Sequence, residues 1–376
     1  MRKLAVIPIE SVADSRSKGL TNYASYLNPG GAFNEVMVLS PFEREETNYE
    51  GIRVIPTKAA LLPARLKELH IDVVRAYGGG PAADMACYHR VSGIPVVVSV
   101  HDQRPEMLHS SVAYADVVFC VAPHVRDLVL RSHRNPDRVW LRPNGVDLER
   151  MRPLPKEECR RGIGWDLSAK YILHVGQRTP DKNLKTLIEA IAELPADWNL
   201  VAAGMGDVQP LLDVARRMGI DQRCRFLDTV PNSILPTFYS AADCFCLPSL
   251  EEAMSNVVLE AFACGCPAVL SAVAALGVGA SDGKEAVVIS DPRNPSLLAG
   301  AIKRVVEDRA LASGLIREAL GKARTFEREA MEMREMEHYD RILAMKDAGE
   351  FSLSSAALAG LYLANLRWRT LSKSKG

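Results

Sequence analysis

The chain has 376 residues, 48% hydrophobic and 24% charged, with a formal net charge of 0. That length exceeds one comfortable hydrophobic core, so two domains are expected. The balanced charge gives no basis for bulk nucleic-acid binding, and no run of about 18 apolar residues is present to cross a membrane.

From the N-terminus, short apolar runs rich in Val and Ile cover residues 4–9, 36–39, 52–55, 73–77, 96–100, 117–121 and 139–141. They are mostly apolar on both parities, as strands covered on both faces are. The first run is too short for a secretory signal core, and Glu10 follows it, so a cytoplasmic location is expected. Helical patterns at 81–91 and 123–132 fall between the runs. Strands alternating with helices imply parallel sheets with right-handed crossovers.

The alternation pauses at 144–170, where Pro153, Pro155, Gly162 and Gly164 suggest an interdomain linker. It restarts with runs at 171–175, 200–203, 224–227, 244–247, 268–270 and 286–289. The expected fold class is therefore α/β, with two Rossmann-like doubly wound lobes over 1–150 and 151–325 and a cleft between their strand ends. Ligands of such sheets bind outside the carboxyl ends of the strands. A long charged helix is expected over 326–348, and an amphipathic, basic tail over 349–376. The eight cysteines include no C-x-x-C pair and the histidines are scattered, so buried thiols are expected and no metal site.

The most informative segment is Pro248-Ser249-Leu250-Glu251-Glu252-Ala253-Met254-Ser255-Asn256-Val257-Val258-Leu259-Glu260-Ala261-Phe262-Ala263-Cys264-Gly265-Cys266-Pro267. A strand ends at Pro248. Ser255 and Asn256 suit a helix N-cap, residues 257–264 favour a short buried helix, and Gly265 with Pro267 stops it. The loop amides and the helix N-terminus form an anion site that a diphosphate would fit without metal. Glu260, one turn in, can accept hydrogen bonds from a ribose diol, and Glu252 from sugar hydroxyls. The plainer reading is ordinary acidic bias at a helix start.

The segment resembles the E-x7-E region of retaining glycosyltransferases of the GT-B fold, family 4 (glycosyl transferases group 1). Glu252 and Glu260 carry the spacing, and the following Ala-Phe-Ala-Cys-Gly-Cys-Pro is similar to the family's continuation. His174-Val175-Gly176-Gln177-Arg178-Thr179-Pro180-Asp181-Lys182-Asn183 is similar to the family's G-R-x-x-x-E-K-[GN] loop, whose Arg and Lys neutralise the donor diphosphate. Lys182 matches directly; Gln177 stands at the usual Arg position, with Arg178 beside it. Gly204-Met205-Gly206 is similar to a G-x-G turn bordering the nucleotide pocket, with the base expected near Val230. Asp228 stands where the family often has glycine, and Ala253 replaces a usual loop glycine.

In the first lobe, His101 ends a buried run and resembles the strand-end His that contacts the donor sugar. Gly19 is the best match to the family's first glycine loop, and Asn144-Gly145-Val146-Asp147 matches its hinge string. The resemblance implies an acceptor-side first lobe, a nucleotide-sugar-binding second lobe and a helix crossing back to the first. It implies His101, Lys182 and Glu252 as catalytic. The implied donor-binding residues are Gly19, Gly176, Arg178, Lys182, Gly204, Val230, Glu252, Ser255, Asn256, Val257 and Glu260. A nucleoside-diphosphate sugar is the implied co-substrate, with no other cofactor, and a glycan or lipid-linked molecule the acceptor, in cell-surface polysaccharide or glycolipid synthesis. Two other readings stay open: a non-hydrolysing nucleotide-sugar epimerase, and a silent sugar-nucleotide-binding subunit. For the tail, peripheral docking on an anionic membrane and packing on the body also stay open.

Overall fold

The computed structural model describes residues 1–17, 23–133, 135–354, 357, 360 and 361. Gly19 and most of the basic tail lie outside the described residues. The chain divides into two compact units, Met1–Pro143 with Met331–Gly376, and Asn144–Ala330. Each is an α/β domain built on a mainly parallel sheet.

The first unit holds β1 (Lys3–Ile7), β2 (Glu35–Ser40), β3 (Thr47–Tyr49), β4 (Ile52–Pro56), β5 (Val73–Tyr77), β6 (Val96–Val100), β7 (Val117–Cys120) and β8 (Val139–Leu141). They line up as β3-β4-β2-β1-β5-β6-β7-β8. All five residues of β6 are buried, as are all five of β5, which places a charged Arg75 inside the domain. Burial on both faces is why these strands read as continuous apolar runs.

Strand β3 escapes the sequence pattern because Thr47-Asn48-Tyr49 is short, largely exposed and polar. It pairs antiparallel with β4 through a two-residue turn in which Glu50 and Gly51 both take positive φ, 49° and 84°. That is the primed hairpin turn matching strand twist.

The second unit holds β9 (Lys170–Val175), β10 (Trp198–Ala203), β11 (Cys224–Leu227), β12 (Cys244–Leu247), β13 (Ala268–Ser271) and β14 (Val287–Ile289). All are parallel, in the order β11-β10-β9-β12-β13-β14. This is the doubly wound arrangement, and its order reverses between β9 and β12.

The expected linker at 144–170 is instead a folded part of the second unit. Its prolines and glycines flank a helix, Lys156–Gly162, with Pro155 at the N-cap and Gly164 at φ 68° beyond its end. Arg160 in that helix is buried and pairs with Asp243 at 2.6 Å, and Trp165 stacks on Tyr171 at 4.2 Å. Val146 bridges Glu327, so the N-G-V-D string is tied to the residues leading into the last long helix.

That helix, Arg328–Asp347, puts Tyr339, Ile342 and Leu343 into the first unit's core beside Leu4, Val6 and Phe119. No helix among the described residues is long and apolar enough to cross a membrane. All eight cysteines are buried and free.

Candidate active site

Two loops meet at the carboxyl ends of β9 and β12, where the strand order of the second sheet reverses. After β9 the chain makes a single 3-10 turn, Pro180–Lys182, and then places Asn183 in the left-handed region at φ 55°. Asn is among the few residues that take this conformation readily. Its side-chain amide donates to the carbonyls of Pro248 at 3.2 Å and Pro292 at 2.6 Å. The Leu250 N–H donates to the Asp181 carbonyl at 2.7 Å. The two loops are therefore stapled together before any ligand contributes.

The staple brings Lys182 to Glu252. Lys182 Nζ donates to Glu252 Oε1 at 2.8 Å and lies 3.3 Å from Asp181 Oδ2, while Ser249 Oγ donates to Glu252 at 3.2 Å. Burial alone would lower the Lys182 pKa, but the Glu252 and Asp181 carboxylates outweigh it and hold the ammonium above its ordinary value. The side chains of Lys182 and Glu252 stay 20% and 11% exposed, so this cation can still meet a ligand.

The helix after the β12 loop runs Asn256–Ala263, with Ser255 at the N-cap. The Ser255 hydroxyl makes no cap hydrogen bond, so the first-turn amides are not taken up by it. The far end closes as expected. Gly265 takes φ 66°, its N–H donates to the Phe262 carbonyl, and the Cys266 N–H reaches back to Ala261. That is the Schellman pattern. A helix start that its cap hydroxyl leaves uncapped, on the loop that carries Lys182's partner Glu252, is suited to an anion.

Glu260 sits one turn in and accepts from the Tyr239 hydroxyl at 2.9 Å. Burial raises its pKa, against the opposing pull of the Tyr239 hydrogen bond and the Arg150 and Arg328 charges. Asn256 lies at the exposed helix tip and accepts from the Asn144 amide at 2.9 Å. Val257 and Val230 are partly buried against the core that contains Tyr239 and Leu247.

Close backbone approach explains two glycines. Gly204 takes φ 145°, and a Cβ there would stand 1.9 Å from the Gly176 carbonyl oxygen. A Cβ on Gly277, in the helix Ala272–Val278, would meet the Ala253 carbonyl at 2.5 Å. The Glu252 loop is thus held from behind by a neighbouring helix, although Ala253 itself is not glycine.

Arg178 does not join Lys182. Its guanidinium donates to the Gly206 carbonyl at 2.9 Å and to the Leu227 carbonyl, and lies 3.4 Å from Asp228. Its side chain is 3% exposed, so it clamps the ends of β10 and β11. The sequence showed a cation beside the usual Arg position but not the direction of its side chain.

His174, one residue before the end of β9, is fully buried. Its Nδ1 meets the Cys246 carbonyl at 3.1 Å, and burial pushes its pKa down to about 4. Asp181, Ser249, Tyr239 and Arg150 also belong to this region and escaped the sequence reading. Asp181, next to Lys182, was the one with a local signal.

His101 follows β6 in the first unit. Its ring stacks on Tyr77 with centroids 5.9 Å apart and planes 2° from parallel. Burial, with the Arg142 and Arg75 charges, pushes its pKa down to about 3, so the imidazole is neutral.

Two family models match the chain: "Glycosyltransferase Family 4" over residues 26–150 and "Glycosyl transferases group 1" over residues 155–322. The chain belongs to this glycosyltransferase family. Among its curated relatives is a D-inositol 3-phosphate glycosyltransferase of Geodermatophilus obscurus, 35% identical over 224 residues, which are 56% of this chain and 50% of that protein. The Corynebacterium glutamicum protein of the same name is 31% identical over 215 residues, 54% of this chain and 51% of the relative. The chain thus spans about half the length of the curated relatives it matches.

Solved structures share the family's fold along most of the chain. Sucrose-phosphate synthase of Thermosynechococcus elongatus superposes with a TM-score of 0.77 at 18% identity, covering 92% of this chain and 100% of that one. Anabaena HepE in complex with UDP gives 0.74 at 18% identity, covering 91% and 100%. Among the described residues of this family member, no group of three His, Cys, Asp or Glu is placed to hold a metal ion.

Proposed function

We propose that this protein transfers a sugar from a nucleoside-diphosphate sugar to a glycan or lipid-linked acceptor, with retention at the anomeric carbon and without a metal. One observation carries the reading: Lys182, backed by Glu252 and Asp181, stands at the point where the second sheet reverses its order. It shares that loop cluster with the start of the helix Asn256–Ala263. A diphosphate there gains a cation and the helix-end amides as charge develops on the leaving group. The presence of UDP or UDP-glucose in the HepE structures supports a nucleotide-sugar donor.

In the proposed reaction the bond from anomeric carbon to diphosphate oxygen breaks, and the acceptor oxygen bonds to that carbon from the same face. The acceptor hydroxyl proton passes to the departing phosphate oxygen. Lys182 and the helix start stabilise the nucleoside diphosphate, Glu260 holds the ribose diol, Glu252 orients the sugar hydroxyls, and neutral His101 hydrogen-bonds the sugar.

The test incubates purified protein with UDP-, GDP- and ADP-sugars, with and without D-inositol 3-phosphate or lipid-linked glycan acceptors. Nucleoside diphosphate release with an α-linked product from an α-linked donor, undiminished by a chelator, is the expected result. Interconversion of the sugar without release points to an epimerase. Binding without turnover of any donor points to a silent subunit. Either result removes the transferase reading.

A further inference from the structure

The first unit buries an unusual amount of charge directly behind His101. Arg75 on β5 has no exposed side-chain surface, and neither has Glu335, its ion-pair partner on the helix Arg328–Asp347. Arg142 donates to the other Glu335 oxygen at 2.6 Å. Arg75 also donates to Ser99 Oγ at 2.9 Å and to the Tyr339 hydroxyl at 3.1 Å. Its guanidinium lies 4.5 Å from the centre of the Tyr77 ring, on which His101 stacks. Replacing such a network by apolar residues is often neutral or stabilising, so its retention here asks for a reason beyond stability.

Two routes run from Arg75 to His101. One passes through the Tyr77 ring. The other passes through Ser99, which lies on β6 two residues before His101 and opposite Tyr77 in the β5–β6 register. Arg75 is itself fixed from the distant helix by Glu335 and Tyr339. We propose that Arg75, held by Glu335, is a positioning residue for His101, fixing the imidazole plane through Tyr77 and the strand end through Ser99. Its consequence for turnover rests on the transferase reading above.

The charged and titratable groups around the imidazole support one protonation state. Arg75 and Arg142 lie on the strand and loop behind it, Glu335, Tyr339, Tyr26 and Tyr77 surround the guanidiniums, and the two cations face a single carboxylate. Burial first, and then the Arg142 and Arg75 charges, disfavour imidazolium, leaving His101 a neutral group oriented for a sugar hydroxyl.

The experiment has two arms. In the first, nitrogen-15 NMR follows the His101 imidazole with pH in wild-type protein and in Arg75→Gln. The midpoint should rise above about 3, while burial and Arg142 still hold it below the ordinary histidine value of about 6.5. In the second, UDP-glucose turnover is measured for Tyr77→Leu and Tyr77→Phe. Tyr77→Leu should lose about tenfold or more in kcat with KM within about twofold, and Tyr77→Phe, which keeps the ring, should match wild type. An unmoved His101 midpoint in folded Arg75→Gln, an unchanged kcat in Tyr77→Leu, or equal losses in Leu and Phe would each overturn the proposal. If Arg75→Gln does not fold, the Tyr77 pair decides. If wild-type protein turns over no nucleotide sugar, the transferase reading fails and the NMR arm alone decides the positioning role.

Discussion

The two domains each hold a cation–carboxylate pair, one inside a strand and one in a strand-end loop, and the pairs differ in what surrounds them. Arg75 and Glu335 have no exposed side-chain surface, and Lys182 and Glu252 keep 20% and 11%. A fully desolvated pair cannot exchange partners without exposing a bare buried charge. A half-buried pair can, because water and an incoming anion reach it. The first pair is therefore part of the frame, and the second is available to a substrate. Sequence alone shows only the second of them, since Lys182 sits in a readable motif and Arg75 lies unmarked inside a strand.

The sharpest break of this comparison is Glu335→Ala. It strands Arg75 in the core and should cost about 3–5 kcal/mol in urea unfolding of the first domain. A loss below about 1 kcal/mol would mean that the pair is hydrated and the contrast false. Next comes Lys182→Ala, with Glu260→Gln beside it. Both should lower transfer by about 10²–10³-fold while thermal unfolding stays close to wild type, because the Lys182 pair stabilises by only about 1 kcal/mol. Loss of stability and activity together would move Lys182 into the frame.

A smaller effect tests burial in the second domain. His174 has a folded pKa of about 4, against about 6.5 unfolded. Between those values the unfolded chain binds a proton that the folded one refuses, so stability is full above about pH 6.5 and falls as pH drops toward 4. The loss should approach roughly 3 kcal/mol, and His174→Gln should flatten that limb of a pH–stability curve. An unchanged curve would show that His174 is protonated with little cost. The smallest effect is Tyr239→Phe, which removes the hydroxyl donating to Glu260 and should cost about 1 kcal/mol in stability. Because that bond pulls the Glu260 pKa down, its loss should raise the carboxyl's midpoint further. A midpoint that stays put or falls would show that Tyr239 does not tune Glu260.

Much of the second site was legible because its parts are local. Glu252 and Glu260 belong to one strand–loop–helix unit, and the Gly265 stop follows from the left-handed conformation that helix ends demand. Arg178 shows where locality ends. Its neighbours in sequence suggest a phosphate ligand, yet its guanidinium turns to the carbonyls at the ends of β10 and β11. The segment 144–170 misled for a related reason, since proline and glycine mark helix ends as readily as linkers. Strand β3 was invisible because an exposed edge strand needs no apolar pattern.

The sequence by itself determined the α/β class, the alternation of buried strands and helices, and two motif segments, one with Lys182 after β9 and one with Glu252 and Glu260 after β12. These depend on periodicity and on residues close along the chain. Only the tertiary structure decided which charges are paired and which are shielded. Lys182 meets Glu252 across 70 residues, and Arg75 meets Glu335 across 260. Pairing at such separations, and the desolvation that separates a structural ion pair from a working one, arises from packing and leaves no local trace.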